Sequence, residues 1–414
     1  MISSRQAALL QALGVVLTGL AGRALIDKLL AVRGGAELVA HWAQITSLAD
    51  TISGVTLAGI GVGLTGLVAA KSPCDQRRLL GDGLRLGLLV SGACLAACAL
   101  LIASGGLPLL PPAQSWLALP ALLAGWLTVA PGLLSFWLLG RGQPQRAMLL
   151  AAMLLVIPVV ALALAAAGQE LPTLLAAQTA VGLVLTVLIL RKCGSWASWQ
   201  TREHELRPFI FAGLAIGIFS PLATAFARQR IGDAASWETA GAVQALWRSS
   251  EWITAIAAGL IQAHYLPRLA AARGAAAFRQ ELRASAMHVV VPALLGLGLL
   301  WLLLPQALAL LYRADLPVTR LDALPFFIGD ALRMASWIFL FGLFARGAGR
   351  AVTLGEFLSL PLFALLLWLL PDKMTLPMIG LCWILSYAAY GIFNALALRC
   401  TLESGDGEAG ATSA

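Results

Sequence analysis

Residues 147–167 have the sequence AMLLAAMLLVIPVVALALAAA, a run of 21 residues without a charged or hydrogen-bonding side chain. An α-helix needs about 20 apolar residues to cross the hydrocarbon core of a bilayer. The strands of a membrane barrel are shorter and alternate between apolar and polar residues. The segment therefore predicts a transmembrane helix.

The rest of the chain repeats this pattern. Hydrophobic residues make up 60% of the 414 residues and charged residues 12%, whereas a soluble domain carries about a quarter charged residues. The charged residues gather in short breaks between apolar runs, and in lipid a helix satisfies its own backbone. We therefore expect an all-α integral membrane protein, with a retained first span and no removed leader. The predicted spans are 6–30, 42–70, 79–104, 114–140, 146–168, 172–190, 208–228, 237–265, 284–311, 324–345, 351–370 and 377–398.

The loops between these spans differ in charge. Lysine and arginine are about three times as frequent on one side as on the other, and such an excess marks the cytoplasmic side. An even number of spans places both ends of the chain on the same side. Both termini are therefore predicted to be cytoplasmic.

The sequence contains an internal repeat. Ala-Leu-Pro opens predicted spans four and ten, at Ala118 and Ala323, and Arg-Gly closes them, at Arg141 and Arg346. Because the two spans run in the same direction, the repeat predicts two bundles related by a parallel pseudo-two-fold axis, with a central cavity. We expect an N-terminal six-helix bundle at 1–195, a cytoplasmic connecting loop at 196–207, a C-terminal six-helix bundle at 208–400 and a disordered polar tail at 401–414.

Catalytic and metal-binding motifs are missing from the sequence. It contains no GxxxxGK[ST] phosphate loop, no HExxH and no GxSxG, and its four histidines are scattered. The predicted loops are too short for a catalytic domain. We expect a secondary transporter rather than an enzyme, without a cofactor, a metal site or a nucleic-acid partner. Small residues between Ser53 and Leu67 also predict close helix packing.

Ionisable residues inside the predicted spans are the candidate functional residues. A charge at the bilayer centre costs about 2.5–3.5 kcal/mol and usually faces a cavity or a partner. A guanidinium group can donate two parallel hydrogen bonds to the oxygens of one phosphate. A carboxylate can carry a coupling ion or balance the charge of an arginine. A structural ion pair is the alternative for each candidate, and Arg228 is expected to extend toward the membrane interface. The substrate-binding candidates are Arg248, Arg333 and Arg23, and the coupling or charge-balancing candidates are Glu251, Asp330, Asp50, Asp27 and Glu356.

Several short motifs resemble those of Wzx-type polysaccharide flippases. They are Trp237–Gln244 (WETAGAVQ), Tyr265–Leu269 (YLPRL) and Gly329–Arg333 (GDALR), followed by Arg346 and Glu356. The resemblance covers about Phe209 to Arg399 and is looser in the first half. Within the family it is greatest to the lipid III flippases of enterobacterial common antigen synthesis.

The resemblance implies membership in the multidrug/oligosaccharidyl-lipid/polysaccharide exporter (MOP) superfamily. Such a protein lies in the bacterial inner membrane and moves an undecaprenyl-diphosphate-linked oligosaccharide, such as an O-antigen unit, to the periplasmic leaflet. Its implied partners are membrane lipid, a coupling ion (proton or sodium), and polysaccharide polymerase and chain-length proteins. A drug/cation antiporter of the same superfamily is the main alternative. An enzyme is disfavoured because the predicted outer loops are too short to carry catalytic residues. A scaffold for glycan assembly would leave the buried charges without a purpose.

Overall fold

The computed structural model describes residues 4–69, 71–105, 110–193, 203–272, 274–313 and 316–411. Within these ranges the secondary structure is helical, with no β-strand. Nine helical segments in the described residues are long and apolar enough to cross a membrane. The chain is therefore an all-α, multi-pass membrane protein, as the sequence predicts.

The chain divides into two compact units, Met1–Gln229 and Arg230–Ala414. Helix α8 continues across the division, from Glu203 to Ala234. The first unit holds α1 (Ser4–Thr56), α2 (Val62–Ala69), α3 (Pro73–Ala103), α4 (Ala118–Leu127), α5 (Val129–Gly140), α6 (Pro144–Leu164), α7 (Glu170–Cys193) and most of α8. The second holds α9 (Trp237–Leu260), α10 (Leu266–Ala271), α11 (Ala275–Ser285), α12 (Val291–Leu302), α13 (Leu304–Leu311), α14 (Arg320–Ala345), α15 (Gly349–Phe357), α16 (Leu360–Leu369) and α17 (Leu376–Ala411).

Helix α1 contains both of the first two predicted spans. Its backbone leaves helical geometry at Gly34 and Gly35, and Gly35 has a φ of 71°. Glycine reaches this left-handed conformation without the steric cost of a Cβ atom. The two glycines therefore separate the predicted spans 6–30 and 42–70 by a kink rather than by a loop. Predicted spans 208–228 and 237–265 correspond to α8 and to α9 with the π-helical turn Ile261–Tyr265.

Small residues bring the backbones of the first unit into close contact. A Cβ atom at Gly54 would lie 2.8 Å from the carbonyl oxygen of Gly217 in α8, and one at Gly61 would lie 2.6 Å from the Phe136 ring. Only glycine leaves room for these approaches, as at other membrane helix interfaces. The close packing predicted for residues 53–67 is therefore present at Gly54 and Gly61, whereas Gly66 has no neighbour within 4 Å.

An arginine binds the end of another helix in each unit. In the first unit, Arg33 donates to the carbonyl oxygens of Ala163 and Ala165, at 2.6 and 2.8 Å, where α6 ends. In the second, Arg230 donates to the carbonyl oxygen of Leu370 at 2.8 Å, where α16 ends. The last carbonyl groups of a helix have no partner within the helix and attract cations. These matching contacts occur where the predicted repeat places equivalent helices, the fifth span and the eleventh.

Two predicted boundaries differ from the structure. The compact units divide after Gln229, within α8, whereas the predicted connecting loop at 196–207 lies largely outside the described residues. The disordered tail predicted at 401–414 stays a prediction, and α17 is helical to Ala411. A formed helix adds residues more easily than a new one starts. Arg399 and Glu403, one turn apart, also form an ion pair at 2.8 Å.

Candidate functional site

Helix α14 places Asp330 and Arg333 together, as their spacing predicts. Arg333 Nη2 lies 3.2 Å from Asp330 Oδ1, and the Asp330 side chain is 2% exposed. The indole nitrogen of Trp383 also donates to Asp330 Oδ1, at 3.3 Å. Desolvation makes a buried ion pair sensitive to the loss of either partner. This carboxylate is therefore committed to neutralising Arg333.

The Arg333 guanidinium is also held by neutral groups. Its Nη2 donates to Thr254 Oγ1 of α9 at 3.0 Å. Its Cζ atom lies 5.5 to 5.7 Å from the ring centroids of Trp337, Trp383 and Tyr387. Aromatic faces attract a guanidinium group at these distances. Arg333 thus lies inside an aromatic environment that satisfies much of its charge.

Helix α9 carries the second predicted pair. Arg248 Nη1 donates to Glu251 Oε2 at 2.5 Å, and their side chains are 21% and 32% exposed. This pair is more accessible than Asp330. The Glu251 carbonyl oxygen accepts from Thr254 Oγ1 at 3.3 Å, and Thr254 in turn contacts Arg333. The structure therefore brings four of the predicted residues, Arg248, Glu251, Asp330 and Arg333, into one connected network.

Aromatic rings surround this network. Trp383 lies 5.1 Å from Trp247, 4.9 Å from Phe363 and 4.7 Å from Tyr387, measured between ring centroids. Tyr390 follows at 6.0 Å from Tyr387. None of these aromatic residues was among the predicted site residues. Trp383, Tyr387 and Tyr390 are spaced by one helical turn, so their periodicity on one face of the last span was the available indication.

Glu356 has a different environment from the other carboxylates. Tyr390 donates its hydroxyl to Glu356 Oε1 at 2.9 Å, and α15 ends one residue later. The fully buried Asn394 packs beside it, since a Cβ atom at Gly355 would lie 2.7 Å from Asn394 Oδ1. In the described part of the chain, no basic side chain forms an ion pair with Glu356. Its described partners are therefore neutral hydrogen-bonding groups.

The predicted residues of the first unit differ in exposure. Arg23 and Asp50 are exposed, whereas Asp27 is 5% exposed. A polar cluster that the sequence analysis missed forms around Arg228, which is 3% exposed and donates to Gln44 Oε1 at 2.9 Å and to Ser47 Oγ at 2.7 Å. The expectation that Arg228 extends toward the membrane interface is wrong. Polar groups of α1 satisfy the guanidinium inside the unit.

Solved structures share this fold. An inward-facing multidrug resistance MATE family transporter of the MOP superfamily matches with a TM-score of 0.69 and 16% identity, over 94% of this chain and 95% of that chain. An outward-facing MATE transporter matches with a TM-score of 0.65 and 16% identity, over 97% of each chain. A MOP superfamily transporter from Pyrococcus furiosus, described as having a binding pocket of reverse polarity that suggests a different function, matches with a TM-score of 0.64 and 15% identity, over 100% and 98%.

At this level of identity the likeness shows a shared fold. No protein-family model matches the sequence, and no curated protein matches it. The chain therefore shares its fold with these solved transporters.

Proposed function

We propose that the chain is an ion-coupled secondary transporter in which Glu356 binds the coupling cation or proton. The single observation that carries this proposal is a carboxylate within a membrane-spanning helix that receives a hydrogen bond from Tyr390 and forms no ion pair among the described residues. Such a group is costly in a membrane and usually marks an ion pathway. The fold of the solved MOP transporters supports the same class of function.

Glu251 and Asp330 have charge-balancing roles in this proposal. Each already pairs with an arginine three residues away, Arg248 or Arg333. Releasing either carboxylate to carry an ion would leave a guanidinium group without its partner, at a high energetic cost. Asp27, Asp50 and Arg23 of the first unit stay candidates for coupling or substrate contact, without a more specific assignment.

An amphipathic, drug-like compound is the substrate class with the most support. Two of the three arginines expected to receive a diphosphate, Arg248 and Arg333, are each neutralised by a carboxylate, so the network carries little net positive charge. Trp247 is partly exposed and rests on the buried rings of Phe363 and Trp383. Its indole is the kind of flat apolar surface that suits aromatic compounds and organic cations. The structural neighbours described as multidrug transporters favour the same substrates. This places the drug/cation antiporter ahead of the flippase.

A lipid-linked oligosaccharide flippase is the second candidate. The partly exposed Arg248 supports it, because a diphosphate could compete with Glu251 for this guanidinium group. The Pyrococcus furiosus protein, with its pocket described as reversed in polarity, indicates that the fold accommodates different chemistry. In this case the substrate would be an undecaprenyl-diphosphate-linked oligosaccharide, and a polysaccharide polymerase and chain-length proteins would be functional partners. Both candidates place the chain in a bacterial inner membrane with cytoplasmic termini.

Two assays with the same variants distinguish these candidates. In proteoliposomes with an imposed proton or sodium gradient, we expect the wild type to accumulate ethidium and Glu356→Gln to lose gradient-driven accumulation. Glu238→Gln, the same change at an exposed position of the second unit, is the matched control. In a flippase-deficient strain, the antiporter proposal predicts no restoration of surface glycan. Restoration together with absent ethidium transport would establish the flippase instead.

A further inference from the structure

Helix α11 packs along the last turn of α14. The Cζ atom of Arg346 lies 4.3 Å from the ring centroid of Phe278. One turn further along both helices, a Cβ atom at Gly342 would lie 3.5 Å from Leu282 Cδ2. These two contacts run in opposite sequence directions, so α11 is antiparallel to the end of α14. They place Arg346 beside the residues that flank Phe278.

This junction gathers three exposed arginines, and the acid between two of them in sequence, Glu281, is already paired. Arg279 and Arg283 are exposed and lie four residues apart on one face of α11, and Arg346 is exposed at the end of α14. Glu281, on another face of α11, pairs with Arg268 at 2.9 Å. In the part of the chain that the structure describes, none of Arg279, Arg283 and Arg346 forms an ion pair. Like charges four residues apart destabilise a helix, so an external anion would relieve a repulsion built into this surface.

The face that carries Arg279 and Arg283 continues as an apolar stripe. At the same four-residue spacing follow Met287, Val291 and Leu295, which are 62%, 39% and 71% exposed. The helix runs through the π-helical turn Ala286–Val290 into α12, within a segment able to cross a membrane. The arginines therefore lie at one end of a membrane span, and exposed apolar side chains extend from them toward the bilayer interior.

We propose that Arg279, Arg283 and Arg346 bind the phosphate of an anionic phospholipid, whose acyl chains lie along Met287, Val291 and Leu295. The order of charge followed by apolar surface matches a headgroup followed by its tails. A guanidinium group can donate two parallel hydrogen bonds to the oxygens of one phosphate. Basic side chains at the cytoplasmic interface also attract anionic lipids. The loop charges predict that this end faces the cytoplasm. The site is independent of the transport role of Glu356 and of the identity of the substrate.

The test uses the full chain purified in detergent and titrated with phosphatidylglycerol or phosphatidylcholine, with bound lipid counted by native mass spectrometry. Arg279→Gln/Arg283→Gln is the main variant, because both side chains are exposed and the packing of Phe278 and Leu282 stays intact. Arg320→Gln/Lys373→Gln removes two exposed positive charges of the same unit, from loops predicted to lie on the opposite side of the membrane. A parallel titration with inorganic phosphate separates a lipid site from a site for free anions.

We expect the wild type to bind phosphatidylglycerol more tightly than phosphatidylcholine. The main variant should lose this preference, with the dissociation constant for phosphatidylglycerol raised at least about tenfold, since each interfacial arginine contributes about fivefold. The control should stay within about twofold of the wild type. Unchanged phosphatidylglycerol binding by the main variant would overturn the site. Displacement of the lipid by millimolar phosphate would show an anion site without lipid selectivity and would overturn the proposed occupant.

Discussion

Tyr390 donates its hydroxyl to Glu356 Oε1 at 2.9 Å, across a sequence separation of 34 residues. The contact joins the end of α15 to the middle of α17 and lies next to the fully buried Asn394. It gives Glu356 a neutral hydrogen-bond donor, whereas Glu251 and Asp330 each have an arginine. The difference in partner is the physical basis for assigning ion coupling to Glu356.

Removal of the Tyr390 hydroxyl should tighten binding of the coupling ion at Glu356, because this donor stabilises the free carboxylate and competes with a bound proton or cation. A hydrogen bond to a charged group contributes about 1.5–3 kcal/mol. For Tyr390→Phe we expect the ion concentration at half-maximal transport to fall about tenfold. Tyr265→Phe is the matched control, because its hydroxyl contacts His288 instead. An equal effect of both substitutions would contradict a specific role for Tyr390.

The buried ion pair should be far more sensitive than an exposed one. Asp330→Asn keeps the side-chain shape but leaves Arg333 without its anion, which costs about 3–5 kcal/mol for a buried pair. We expect the apparent Tm in detergent to fall by at least about 5 °C. Glu403→Gln, which breaks the exposed pair with Arg399, should change the Tm by less than about 1 °C. Asp330→Leu/Arg333→Leu should recover part of the loss because no unpaired charge remains.

The stability of Asp330→Asn relative to the wild type is the decisive comparison for the pair. If Asp330→Asn were as stable as the wild type, then the environment around Arg333 would already satisfy the guanidinium group without its carboxylate. In that case Asp330 would be available for ion coupling, and the separate assignment of Glu356 would lose its basis.

The two arginine contacts at helix ends should act locally. Arg33→Gln removes donors to Ala163 and Ala165, and Arg230→Gln removes the donor to Leu370. For each variant we expect hydrogen exchange to accelerate about tenfold in the last turn of the bound helix, α6 or α16, because its terminal carbonyl groups lose their partners. Each variant is the control for the other. Faster exchange in both helices for either variant would indicate general destabilisation instead.

Glycine substitutions should separate close backbone contact from helix propensity. A Cβ atom at Gly125 would overlap the carbonyl group of Ala49, whereas one at Gly66 would meet nothing within 4 Å. Gly125→Ala should therefore lower the apparent Tm, because α1 and α4 must separate. Gly66→Ala should keep or raise it, since alanine is favoured over glycine in a helix by about 1 kcal/mol. Thermal unfolding of both variants in the same detergent checks this, and equal Tm changes would contradict the packing at Gly125.

The sequence predicted features that depend on neighbours along the chain. Long apolar runs predicted the helices, and the spacing of three residues predicted the pairs Arg248–Glu251 and Asp330–Arg333, because such residues share a helix face. It did not predict contacts between distant segments. Trp383 reaches Asp330 across 53 residues, and Arg228 reaches Gln44 across 184. Helix packing sets these contacts, and apolar periodicity in a span does not specify which helix a side chain meets.

The substrate prediction depended on the same missing information. Arginines within spans indicated an anionic substrate, since their charge is visible in the sequence. Pairing of these arginines with carboxylates was one of two open alternatives in the sequence. The structure adds the observed pairs and the aromatic rings around Arg333. A count of charged residues therefore overestimated the positive charge available to a ligand.

Coupled ion flux in proteoliposomes tests the central role of Glu356 most directly. Ethidium is placed on one side of the membrane, and movement of protons or sodium in the opposite direction is recorded as ethidium crosses. We predict coupled ion movement for the wild type and for Glu238→Gln. Glu356→Gln should let ethidium move down its own gradient without coupled movement of protons or sodium. Wild-type ion movement in Glu356→Gln would contradict the assignment of Glu356 as the coupling residue.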